Sequence, residues 1–564
     1  MSQFYDQASL VMIPSGYKNG KVYSQKPLSA DGELTFTRAS DATRVNADGL
    51  IEKVRTNLLR QSNTFDTLWA VGNSTITGGQ TDKDGGTNAW VIASTVIGAE
   101  TRIRQSYTFT IGQHITLSCY MKAGTVNYGI VRTYAITGGG RVWFDLVNGT
   151  VGTENTGLTG RIQSAGGGWY RCSISGIIDT TGAIDIAPAP ANNDYLADAI
   201  GETVYIQNAQ LELSDFGATD YIPTTTAAVS VGPVSGLPRL DYSGGCPSLL
   251  LEPQRTNVVL WSEQMDNAAW AKLNSGAGAS PIVTANHTIS PDGTQNADRI
   301  QFSSSTATSS NFSLLNQGSL TIASTGTFTM YVKSLTSSTQ NLLVYWGLGQ
   351  GQVFQVTTQW TRITLSNLTS GTQGIVFGTR GGSGNYYNGG DATLDIAVWG
   401  AQLEAGAYAT SYIPTLGSAV TRLADTAAKA GMHNGVFAGA TSGTLFVDFT
   451  FQNEFLADAL SWNSSASAAG RGYLYQTRMG MADGYAINLP LTPGVRQKCI
   501  WRLNTLSNAT VFANGIKGNT ANGNVWNDIS NISIYGSRWN LEIHSILMFP
   551  TALTDQQCIE LTTL

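Results

Sequence analysis

Six aromatic residues, Trp346, Tyr386, Tyr387, Trp399, Trp526 and Trp539, are the side chains whose type and setting best suit holding a ligand. Sugars present apolar C–H faces that stack on such rings, while Asn, Asp and Arg bond the hydroxyls. The tandem Tyr386-Tyr387 is flanked by Gly384-Asn385 and Asn388-Gly389-Gly390, which reads as an exposed loop. Tyr134, Trp143 and Tyr195 hold roughly corresponding places earlier in the chain. The plainer reading is that rings on alternating strands anchor a core. For Trp69, Trp270, Trp169 and Trp360 an internal repeat favours that plainer reading.

Reactive groups are few. The four histidines, His114, His287, His433 and His544, form no pair at a metal-ligand spacing. The five cysteines are odd in number and lack a CxxC spacing, so they read as free, mostly buried thiols. Hydrolysis of a glycosidic bond needs paired carboxylates. Glu212 and Glu404 recur, but inside a repeated motif where a structural role beside Arg55 and Arg255 is the better reading. Gly138-Gly139-Gly140 has neither a following helix nor a phosphate-contacting Lys, so it reads as a turn. A structural calcium ion is compatible with the loops Asp82-Lys83-Asp84-Gly85 and Asp292-Gly293, yet a calcium loop needs more oxygen ligands in sequence. The expectation is no cofactor and no enzyme activity.

The elements that must position these side chains read as strands. Tyr107-Thr108-Phe109-Thr110, Ile115 to Met121, Val204-Tyr205-Ile206 and Leu394 to Trp399 alternate apolar and polar residues. That period buries one face and wets the other. Glycine clusters such as 166–168 and 381–384 punctuate them. Only 12% of the residues are charged and 63 of 564 are Gly, against usual shares of about 25% and about 7%. Short strands and tight turns fit that composition; long surface helices do not. The net charge of −6, with no Lys/Arg block, speaks against a nucleic-acid partner. No run of about 20 apolar residues exists to insert into a membrane. The opening Met1 to Asp6 lacks the basic and apolar regions of a secretory signal, so the expectation is synthesis in a cytoplasm without export by that route.

An ordered repeat sets the plan. Ile51-Glu52-Lys53-Val54-Arg55-Thr56-Asn57-Leu58 matches Leu251-Glu252-Pro253-Gln254-Arg255-Thr256-Asn257-Val258. Residues 116–122 match 327–333, Trp169-Tyr170-Arg171 matches Trp360-Thr361-Arg362, and Ala209 to Glu212 with Tyr221 to Thr224 match Ala401 to Glu404 with Tyr412 to Thr415. A period this long is a duplicated domain rather than a solenoid. The expected plan is an N-terminal anchoring or oligomerisation segment at 1–54, too short for its own core and packed on other subunits or a neighbouring protein. Sandwich copies follow at 55–225 and 251–420, joined by linkers at 226–250 and 421–442. A third sandwich occupies 443–564, closed by a short helix over 554–561 with Thr554 as N-cap. The fold class expected is all-β, with tandem β-sandwich (jelly-roll) domains.

Thr35-Phe36-Thr37-Arg38-Ala39-Ser40-Asp41-Ala42-Thr43-Arg44-Val45 with Gly49-Leu50-Ile51-Glu52, and Gly245 to Asn257, resemble a module of bacteriophage structural proteins. The endings Gly400 to Gly406 and Ser411 to Thr415 are similar to those of carbohydrate-binding-like jelly rolls on phage fibres, and 443–564 resembles a laminin-G or concanavalin-like sandwich. The opening Ser9 to Tyr23 resembles N-termini of head-fibre and tail-fibre proteins. The resemblance implies a virion protein assembled in the host cytoplasm, a homotrimer, joined to other capsid or tail proteins through its N-terminal segment and meeting host-surface or environmental glycans. A spacer without a ligand and a polysaccharide depolymerase are the alternatives.

Overall fold

The computed structural model describes residues 2–564 except 138, 214–216, 306–307, 348, 382–389, 431–440, 453–459, 464–470, 476–477, 482–488, 506–507, 523–530 and 535–539. Two compact units emerge: Val54–Gly232, and Met1–Lys53 joined to Pro233–Leu564. The fold is all-β and built of sandwiches, as the alternation requires.

In the first unit, one sheet runs 158–166, 169–177, 114–123, 203–212, 89–94, 74–80, and the facing sheet runs 150–154, 141–145, 128–133, 182–189, 102–107, 70–72. Every pairing is antiparallel. Ile115, Leu117, Cys119 and Met121 point from one sheet into the core, where they meet Ile103, Val131, Val142, Ile184 and Ile186 from the other. Each such buried side chain contributes about 1.5–3 kcal/mol.

The second copy, within the larger unit, repeats this order with five strands in each sheet. Its sheets run 279–288, 297–303, 393–405, 326–334, 361–368 and 271–275, 312–322, 371–380, 340–346, 350–356. The first copy adds one edge strand to each sheet, Thr150–Glu154 and Leu158–Gly166.

The repeated sequence motifs form one lock. Asn57 Nδ2 donates to the Ala209 and Ile222 carbonyls (3.1 and 2.8 Å), and its Oδ1 accepts from the Leu59 and Leu211 N–H groups. Asn257 makes the same four bonds to Ala401, Ile413, Val259 and Leu403. Glu212 accepts from Thr219 N, and buried Glu404 from Thr410 N and Oγ1, so both are structural. Arg255 Nε lies 3.7 Å from Glu404.

The third sandwich corrects the expected boundaries. Residues 1–54 are not a separate segment. Leu10–Met12 pairs with Ile546–Met548, and Leu34–Thr37 with Thr426–Ala428. The expected linkers are built in as well: Arg239–Asp241 pairs with Ser248–Leu251, whose residues 249–251 pair with Leu541–Ile543, and Thr426–Ala430 is a strand of the other sheet. Leu10, Met12, Val22, Leu34 and Phe36 lie in one core with Leu249, Leu445, Trp501 and Ile543. The physical reason is the one that made the segment look dependent. It cannot form a core alone, and its own chain supplies the missing layer. The terminal helix Asp555–Thr562 has Thr554 as N-cap in a reciprocal capping box with Gln557. A second short helix, Ser2–Gln7, lies at the other end of the chain, and its Phe4 packs in one cluster with Cys558 and Leu561.

Behind the stretches 35–52 and 245–257 lies a buried ionic clasp. Arg38, Arg239, Arg422, Glu252 and Asp425 are each at most 2% exposed. Arg38 Nη1 donates to Asp425 Oδ1 at 3.0 Å, and its Nη2 to the Pro233, Val234 and Leu237 carbonyls. Arg239 bridges Asp425 and Glu252, and Arg422 binds Glu252 and, at 2.9 Å, Ser411 Oγ. The Glu252 N–H donates to Asp425 Oδ2.

Two carboxyls, buried Asp298 and half-buried Glu542, make stability depend on pH. Burial pushes Asp298 up to about 7, from 3.8, against hydrogen bonds from the Met265 and Asn286 N–H groups. Burial, with Asp241 nearby, also pushes Glu542 up to about 7. Between its unfolded and folded values such a group binds more protons folded than unfolded, so stability falls as pH rises from about 4 to about 7. Half-buried His544, held below its ordinary value by desolvation, acts in the opposite sense, while buried Glu263, raised by desolvation, acts with the two carboxyls. Denaturant unfolding from pH 5 to pH 8 is expected to give a declining stability, with a shallower decline in Asp298→Asn. A profile unchanged by that substitution would contradict the assignment.

Candidate ligand-binding face

On the outer face of the first unit's second sheet, four neighbouring strands align a row of charge. Arg104 pairs across with Asp185, Asp185 with Arg132, and Arg132 with Arg141. Alternation sends Ile103, Ile184, Ile186, Val131 and Val142 into the core and this row to the other side. Arg104 Nε and Nη2 grip the two Asp185 oxygens at 2.6 and 2.7 Å, a planar fork. Glu100 Oε1 takes Arg132 Nη1 at 2.6 Å and Arg141 Nη2 at 3.1 Å, and Arg102 Nη1 lies 3.5 Å from its Oε2. Desolvation works against its charge, yet Arg132 and Arg141 hold the Glu100 carboxyl below its ordinary value. The bond to Asp185 raises Arg104 above the ordinary guanidinium value.

Aromatic rings carry these cations. The Arg132 and Arg104 guanidiniums lie 3.7 and 4.4 Å from the Tyr134 ring centre, and Arg141 lies 4.0 Å from that of Tyr195. Beside Tyr134 opens a groove of about 760 Å³, lined by Arg104, Ser106, Thr108, Tyr134, Thr137, Thr180 and Thr181 among others. Gly182 lets its floor close: a Cβ there would stand 2.5 Å from Tyr134 Cβ. The Asp179 and Thr180 N–H groups donate to the Ala135 carbonyl, and Asp179 Oδ1 accepts from Thr137 N at 2.6 Å, which fixes the rim. The described lining offers hydroxyls, a guanidinium and ring edges. That set can bind an oxygen-rich ligand by hydrogen bonds and does not assemble an acid–base pair.

No protein-family profile matches the chain, and no curated protein matches it. Among solved structures, the tandem CBM22-1–CBM22-2 domain of Paenibacillus barcinonensis Xyn10C aligns over 65% of this chain and 100% of its own, at 10% identity and a TM-score of 0.20. The binding domain of Paraclostridial Mosquitocidal Protein 1 aligns over 25% of this chain, at 10% identity and a TM-score of 0.19, and the chain spans 43% of that domain. Trypanosoma rangeli sialidase aligns over 93% of this chain and 97% of its own, at 9% identity and a TM-score of 0.20. Likeness this low carries no argument about ligand or activity.

The aromatic residues singled out in the sequence fall elsewhere. Trp346 is 1% exposed in the second copy's core, its Nε1 donating to the Thr369 carbonyl at 3.0 Å. Trp399 is wholly buried, packed with Tyr331 and Tyr412 and under Lys53. Neither ring has a face open to a ligand, which corrects both assignments: strand packing has used those faces. Tyr386, Tyr387, Trp526 and Trp539 lie outside the described residues. Trp69, Trp169 and Trp270 are core residues, whereas Trp360 is half-buried and donates to the Ile289 carbonyl. Of the first-copy rings, Tyr134 lines the groove, Tyr195 flanks the charged row, and Trp143 is buried with its Nε1 on the Asp194 carbonyl.

The two loops weighed for calcium have their carboxylates engaged. Asp82 accepts from the Asp84, Gly86 and Asn88 N–H groups, and Asp292 pairs with Lys53 Nζ at 2.8 Å. Among the described residues, no group of three or more His, Cys, Asp or Glu is arranged to hold a metal ion. Sequence reasoning missed the arginine row. Its signal was present in Arg102-Ile103-Arg104 and Ile184-Asp185-Ile186, where charge alternates with aliphatic residues.

Proposed function

We propose that this chain is a fibre or decoration subunit of a bacteriophage particle, presenting β-sandwich surfaces to host-surface or environmental glycans and performing no covalent chemistry. The observation that carries the glycan reading is the groove beside Tyr134, whose hydroxyl-rich lining and ring edges match what a sugar offers. The particle context rests on the motifs at 35–52 and 245–257. In this reading the protein is a homotrimer on the virion, attached to capsid or tail proteins by surfaces that the strands of 1–54 leave exposed. Tandem sandwiches and self-association multiply weak sites into avidity, so one shallow groove per chain suffices.

A glycan array probed with the full chain tests the reading. Binding above background is expected. An empty array favours a spacer, and shortening of a capsular polysaccharide on incubation favours a depolymerase. Equilibrium sedimentation is expected to give a trimer, and a stable monomer counts against the fibre assignment.

A further inference from the structure

The charge at the groove is not demanded by the fold beneath it. In the second copy, the outer rows of the corresponding sheet pair Leu314–Gly378–Leu343–Val353 and Asn316–Val376–Tyr345–Gly351. Leu314, Leu343, Tyr345 and Val376 form an apolar cluster there. The same topology therefore closes without the arginine row. Among the described residues of the first copy, Arg102, Arg104, Arg132 and Arg141 face only Glu100 and Asp185 within ion-pair distance, an excess of two positive charges in a chain whose net charge is −6. Counting Asp179 at the rim, whose Oδ1 is bound to Thr137 N, an excess remains. Arg132, 7% exposed, has an Nε with no hydrogen-bond partner. Arg104 lines the groove, and since Asp185 holds its Nε and Nη2, its Nη1 edge is the one not committed to that carboxylate.

We infer that the groove takes an acidic saccharide, a sugar unit whose carboxylate or sulfate meets Arg104 while its hydroxyls meet Ser106, Thr137 and Thr181. A guanidinium already fixed by one carboxylate loses little freedom on binding a second anion and presents planar donors to it. This inference rests on the reading that the chain binds glycans, and it names the class.

The test is affinity electrophoresis of the full chain in gels containing polygalacturonate, dextran sulfate or neutral dextran. Retardation by an anionic polymer and none by dextran is expected, weakening as salt is raised. Retention by polygalacturonate alone identifies a carboxylate, and by dextran sulfate alone a sulfate. Arg104→Gln is expected to weaken binding at least tenfold. Because Asp185 is buried beside Arg104, that variant can disturb the sheet, so Thr181→Glu serves as the second: it adds a negative charge at an exposed lining position. It is expected to weaken anionic binding at least tenfold with an unchanged melting curve. Anionic binding that Thr181→Glu leaves intact overturns the inference, as does equal retention by dextran. Neutral glycans bound on the array with no anionic polymer bound overturns this inference and leaves the glycan reading standing. Binding to nothing overturns both.

Discussion

Replacing Asp425 with alanine is expected to destabilise the larger unit by about 3–5 kcal/mol, the cost of breaking a buried ion pair from one side. Asp425 receives Arg38, Arg239 and the Glu252 N–H, all inside the protein. Its loss leaves Arg38 without that carboxylate and Arg239 sharing Glu252 with Arg422, three buried cations beside one buried carboxylate. Desolvation already lowers the Arg38 and Arg422 values below the ordinary guanidinium range, so the site tolerates their charge only through its carboxylates. Denaturant titration is the measurement, and a change below about 1 kcal/mol, the scale of a surface pair, would refute the clasp. The clasp joins residues from three distant stretches, 38, 239–252 and 422–425, so the variant is expected to loosen all three together in hydrogen exchange.

Deleting residues 1–37 is expected to do more. Leu10, Met12, Val22, Leu34 and Phe36 are each at most 2% exposed in the third sandwich's core. At about 1.5–3 kcal/mol apiece, their removal costs about 10 kcal/mol, comparable to the whole stability of a domain. It also strips backbone partners from Ile546–Met548 and Thr426–Ala428. The truncated chain is expected to lose the cooperative transition of that sandwich and to be digested by protease within 426–564. A truncated protein with an intact third sandwich would show instead that the segment is a separable anchor.

That contrast marks what the sequence could convey. The duplication was legible because each copy reuses the same local chemistry: Asn57 and Asn257 stitch the same strand ends, and Tyr221 and Tyr412 each bond a serine, Ser62 and Ser262. Local alternation also gave the strands. Pairing across the chain was not legible, because nothing in Leu10-Val11-Met12 specifies Ile546–Met548 as its neighbour. The ring assignments failed for two different reasons. Trp346 is in phase with Leu342 and Val344 and so points into the core, a phase the sequence contained. Trp399 is out of phase with Leu394, Ile396 and Val398 and does leave the core, but it clusters with Ile51 of a remote segment and with Tyr412. The strand's phase puts Trp399 on the outer face, but its cover there was invisible in the sequence. The charged row depends on four strands meeting in register, so its residues were scattered in sequence and only their alternation was visible.

Hydrogen–deuterium exchange of the full chain, with and without a saturating glycan chosen from the array, tests most directly whether the first sandwich binds through this groove. Slowed exchange confined to 102–108, 134–140 and 179–183 is the predicted result. Protection that appears only in the second or third sandwich, with those three segments unchanged, would contradict it.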